Sequence, residues 1–99
     1  MPMDLRIERI DAQHVRVAGR LGFSEAAAAL ARGGELHAEG AGEINVDVGG
    51  LERVDSATLA VLLAWSARAR AAGTVLHFSH MPAQLDALAQ VCGTGPMLG

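Results

Sequence analysis

Ninety-nine residues, 51% apolar and 19% charged, suit one folded domain spanning residues 1–99 and exclude a disordered tail. Eight basic against eleven acidic side chains leave a net charge of −3, and the arginines are scattered, so no cationic stripe exists to track a nucleic-acid backbone. No apolar run reaches the roughly 18 residues of a membrane span, and the charged start MPMDLRIERID does not read as a signal peptide, so a cytoplasmic chain without membrane insertion is expected.

In chain order, LRIERI and HVRVAG each alternate, with Leu5, Ile7, Val15 and Val17 on one side and Arg6, Glu8, His14 and Arg16 on the other. They predict a hairpin across DAQ. GFSEAAAALARGG predicts a short helix with Ser24 as its N-cap, Glu25 in its first turn and a glycine stop. GGELHAEGAG carries glycines without apolar period and reads as a loop; its GAG does not follow a strand, as a dinucleotide fingerprint would. EINVDV alternates as a strand, with Ile44, Val46 and Val48 toward a core and Asn45 and Asp47 away from it. GGLERV is expected to turn the chain into a helix starting at Ser56 and stopped by Gly73, and TVLHFSH returns as a strand. PAQLDALAQVC then predicts a last helix, with Leu85, Leu88 and Ala89 at helical spacing and an end near Gly93. The strand–helix–strand–helix second half demands parallel crossovers, so an α/β fold is expected: a mixed sheet with an N-terminal hairpin and covering helices.

Two features of residues 47–72 bear on function. Asp55 and Ser56 fall where a loop meets a helix start, and read either as N-caps or as an exposed hydroxyl able to take a phosphoryl group at the positive end of the helix dipole. On the helix itself, at about 100° per residue, Leu59, Leu62, Leu63 and Ser66 form one face, while Thr58, Val61, Trp65, Arg68 and Ala72 lie roughly opposite. A small chain with one sheet has little protein left to cover that second stripe. Thr58, Val61, Trp65 and Arg68 are therefore expected to be a partner-binding surface anchored by Trp65, or a face through which two copies pair.

Catalysis and metal binding find little support. His77 and His80 are three apart on a predicted strand and should face opposite ways, and the lone Cys92, read as a small buried hydrophobe, excludes an internal disulfide and a thiolate cluster. A hydrolytic triad of Ser56, Asp55 or Asp47 and a histidine is possible on paper, but Ser56 lies between Asp55 and Ala57 rather than in a nucleophile elbow. No enzyme, metal or cofactor is expected.

INVDVGGLERVDSATLAVLL resembles the signature of STAS domains (sulfate transporter and anti-sigma factor antagonist), with an acidic strand end at Asp47 and an Asp-Ser/Thr-x-Gly-Leu helix start at Asp55 to Leu59. The order of elements also resembles that fold over nearly the whole chain, most similarly to the stand-alone MlaB-type STAS subunit of the bacterial lipid-asymmetry ABC transporter. The resemblance implies a non-catalytic module whose partner is the ATPase subunit of a phospholipid ABC transporter, which would hold the chain at the inner membrane. Asp47, Asp55 and Ser56 would form its regulatory, phosphoacceptor region. The alternative is a partner-switching regulator that binds an anti-sigma factor or its kinase. The position of the phosphorylated serine in anti-sigma factor antagonists is Ala57 here, Ser56 stands where the transporter subunit has threonine, and the family glycine is Thr58. A third reading is a small-ligand sensor near Asp47, Asp55 and the glycine-rich loop.

Overall fold

A computed structural model of the chain describes residues 5–36, 40, 42–52 and 54–91. Cys92, the expected helix end near Gly93 and part of the glycine-rich loop lie outside the described residues. Strands β1 (Arg6–Asp11), β2 (His14–Arg20), β3 (Glu43–Glu52) and β4 (Val75–Ser79) form one sheet in the order β1-β2-β3-β4. The first pair is antiparallel and the other two are parallel, so the sheet is mixed as expected. The two parallel connections carry helix α1 (Ala26–Ala31) and helix α2 (Ser56–Ala71), and helix α3 (Ala83–Val91) follows β4.

The core is aliphatic because alternation presents Val15 and Val17 from β2, Ile44, Val46 and Val48 from β3 and Leu76 from β4 to the helices. The helix layer answers with Ala29, Leu59, Leu62, Trp65, Leu85 and Ala89. Arg16, Asn45, Asp47 and His77 take the alternate positions on the same strands and are left half-buried or exposed.

Three local expectations change. The first helix starts with a 3-10 turn, Phe23–Glu25, in which Gly22 rather than Ser24 is the N-cap; the Glu25 carboxylate accepts from Gly22 N at 3.1 Å, while Ser24 is exposed. A second 3-10 turn, Arg32–Leu36, extends the helix through the expected glycine stop. Two arginines tie it to β1 and the residue before it: Arg9 Nη2 donates to Leu36 O at 2.8 Å, and Arg32 Nη1 to Leu5 O at 2.6 Å. Finally, β3 runs on through Gly49 and Gly50 instead of turning there, because the strand passes close to β2: a Cβ on Gly50 would lie 2.8 Å from that of Ala18.

Helix α2 keeps its expected bounds. Asp55 is its N-cap, and at its C-terminus Thr74 N donates to Ala69 O and Gly73 N to Arg70 O, with Gly73 at φ +84°. Those paired bonds around a left-handed glycine close the last turn and leave few carbonyls orphaned.

Candidate functional site

The stripe expected to meet a partner is inside the protein. Trp65 is 2% exposed, Val61 1% and Thr58 0%. The indole Nε1 donates to Ala29 O at 3.0 Å. Gly33, in the 3-10 turn after α1, sits so close to the ring that a Cβ there would lie 2.8 Å from Trp65 Cδ1. Segment 26–36 lies alongside α2 and covers the stripe, and α3 packs against α2 as well, so α2 needs apolar residues around most of its circumference. Neither docking nor self-pairing can proceed through Thr58, Val61 or Trp65. Arg68, the fourth member, is exposed at the edge of the covering segment, near Gly33 and Gly34.

Thr58 has a structural role. Its amide donates to Asp55 Oδ1 at 3.1 Å, its Oγ1 accepts from Asp55 N at 3.0 Å, and the same hydroxyl donates to Leu21 O at 2.7 Å. The reciprocal pair is a capping box built from Asp and Thr. The third bond ties the start of α2 to the end of β2.

Besides Arg68 and Arg70 in the last turn, α2 exposes a strip of small residues, Ser56, Ala60, Ala64, Ala67 and Ala71, one above another at helical spacing. At its N-terminal end stands Phe23, 84% exposed. The second carboxylate oxygen of Asp55 accepts from Phe23 N at 3.3 Å, so one side chain caps the helix and holds the Phe23 turn beside it. Ser56 is exposed, and no hydrogen bond engages its hydroxyl among the described residues. In the sequence Phe23 belongs to the pattern of a helix start, an aromatic residue between a glycine and a polar residue ahead of an alanine run.

Asp47 is not part of this surface. It lies on the open sheet face, where Oδ1 accepts from Gly49 N at 2.9 Å and approaches His80 Nδ1 at 3.3 Å. With Arg16, Ala18, Gly49, Gly50 and His80 it lines a shallow groove whose described lining does not include Asp55. His77 and His80 do not face opposite ways either. His77 reaches Glu43 at 3.0 Å, and both histidines meet carboxylates of β3 four residues apart, hence on one face. The reason is that β4 ends at Ser79 and His80 turns back with φ +57°. Among the described residues no three His, Cys, Asp or Glu side chains cluster as a metal site, and no histidine hydrogen-bonds Ser56. No described helix is long and apolar enough to cross a membrane.

Comparison with known proteins is consistent with this architecture. The structure is similar to the crystal structure of a sulfate transporter family protein from Wolinella succinogenes, with a TM-score of 0.67 and 16% sequence identity, over 95% of this chain and 76% of that one. At that identity the likeness concerns the fold. A search of curated proteins finds no significant match. The family model described as Mlab, STAS domain, matches residues 6–99, nearly the whole chain: this protein belongs to the MlaB-type STAS domain family.

Proposed function

We propose that the chain is a non-catalytic regulatory subunit that docks, by the surface around the N-terminus of α2, on the nucleotide-binding ATPase subunit of a phospholipid ABC transporter. It would act in the cytoplasm, held peripherally at the inner membrane by that partner. STAS domains in general work through protein–protein contact, which supports an interaction module here. The observation that carries the reading is Phe23, an exposed aromatic residue on the turn whose backbone Asp55 holds at the start of α2. Exposed aromatics of this kind supply large contact area when a partner desolvates them. The alanine strip beyond it lets a partner approach the helix closely, and the Asp55 bonds fix both parts before binding, which lowers the ordering cost.

Affinity capture with the transporter ATPase subunit tests this. The wild-type chain is expected to retain the ATPase in stoichiometric amount, and Phe23→Ala to weaken capture by about thirtyfold, the loss of an anchor worth about 2 kcal/mol. Its melting curve should not change, since Phe23 contributes little to the core. Failure of the wild-type chain to bind the ATPase removes the proposal.

One observation favours a second reading, the partner-switching regulator. The free Ser56 hydroxyl at the first helical position would carry a phosphoryl group with support from the helix dipole, and would put negative charge in the middle of the docking surface. Stoichiometric phosphate on Ser56 after incubation with a cognate anti-sigma kinase would establish it.

A further inference from the structure

Away from the docking surface, at the other end of α2, a cleft of about 310 Å³ opens between the last helical turn, the 3-10 turn after α1 and the start of β4. Its space exists because four of the residues around it are small: Gly33, Gly34, Ala69 and Ala72. Its depth is apolar, closed by the buried side chains of Leu36 and Leu76. Among the described residues only one charged side chain lines it, Arg68, whose guanidinium would stand 3.5 Å from a Cβ placed on Gly34. No carboxylate or carbonyl among the described residues engages that guanidinium.

We propose that this cleft is a binding site for a small aliphatic carboxylate, with the hydrocarbon tail against Leu36 and Leu76 and the carboxylate on Arg68. The fit follows from three properties. At roughly 30 Å³ per group the size of a water molecule, the volume holds about ten non-hydrogen atoms, the size of octanoate. The wall rewards a tail that leaves water. The guanidinium offers a planar pair of donors matched to a carboxylate.

The charge is also required by position. The cleft lies at the C-terminal end of α2, where the helix dipole repels anions. Without a cation at the rim, the same cavity would prefer a neutral tail. Arg68 therefore sets the selectivity of the site, a property that neither packing nor favourable contact with the helix end would confer. The inference does not depend on the docking reading, since the cleft shares no residue with the Phe23–Ser56 surface.

Calorimetric titration with sodium octanoate, octylammonium and octanol, all at millimolar concentration, tests it on the intact chain. Octanoate should saturate one site, octanol should bind at least tenfold more weakly, and octylammonium should not bind. In Arg68→Gln the order of octanoate and octanol should reverse. Ala72→Leu, which fills the cleft, should lose both ligands. Amide shifts in the wild-type protein should concentrate at Ala69, Thr74 and Leu76, a readout that stands even if Ala72→Leu fails to fold. Absence of saturable octanoate binding, equal binding of octanol and octanoate, or shifts centred elsewhere would overturn the assignment.

Discussion

The Trp65 indole and the Ala29 carbonyl meet at 3.0 Å across the α2–α1 boundary, and this one bond joins the largest fully buried side chain to the backbone of the covering segment. Trp65→Ala is therefore expected to destabilise the fold by about 3–5 kcal/mol, through lost burial and the cavity left behind. Trp65→Phe should cost less: the Ala29 carbonyl keeps its bond from Arg32 N, and the lost indole bond is worth about 0.5–1.5 kcal/mol. Urea denaturation followed by far-ultraviolet circular dichroism measures both, since each variant lacks the only tryptophan.

Gly33 and Gly34 are neighbours with opposite expected responses. A methyl at Gly33 would meet the indole at 2.8 Å, and the ring is held by its own hydrogen bond, so Gly33→Ala should cost about 1–3 kcal/mol by overpacking. At Gly34 the nearest atom is the Arg68 guanidinium at 3.5 Å, an ordinary contact, and Gly34→Ala should stay within about 0.5 kcal/mol of wild type. Midpoints of paired denaturation curves decide it.

Thr58→Val keeps the shape and removes the hydroxyl, leaving Asp55 N and Leu21 O without that partner. A loss of about 1–3 kcal/mol is expected. Thr58→Gly, which restores the residue of the family motif, should lose about 0.3 kcal/mol more from helix propensity. Hydrogen exchange at the start of α2 would show the opening to be local.

The acid limb of stability has identifiable contributors. Asp11 is held below the usual carboxylate range, first by the Gln13 amide and then by His14, and Glu35 is held down by its hydrogen bonds to Arg32. A depressed pKa in the folded state adds stability above the unfolded value, lost as pH falls through the folded one. Stability should thus decline below about pH 4, by a small amount because both groups are exposed. Asp11→Asn and Glu35→Gln should each flatten that decline in a pH series of thermal melts.

Much of the fold could be read in advance because the elements that carry it announce themselves locally. Val15, Val17, Ile44, Val46 and Val48 alternate, and Asp55 and Gly73 mark both ends of α2. The partners of those elements were not readable. Periodicity identified a second apolar face on α2, but an alanine-rich stretch with one leucine gave no sign that it would lie over Trp65. Gly49 and Gly50 suggested a turn, yet they serve the close passage of β3 by Ala18. His80 looked like one more strand residue until its left-handed backbone brought it over Asp47. At the candidate site, Ser56 and Asp55 were found from their capping pattern, whereas the exposure of Phe23 depends on where the rest of the chain is.

The parallel pairing of β2 with β3 also constrains how the molecule assembles. Val15 stands opposite Val46, so the two central strands cannot meet until the whole stretch carrying α1 has closed as a loop. The entropic cost of closure precedes the reward, and refolding should run on the order of milliseconds rather than at the speed of a helical bundle. The β1–β2 ribbon can form early but gains little alone, and because the segment that must close is the one that shelters the indole, a tryptophan-fluorescence trace would time the step that commits the chain to its native sheet.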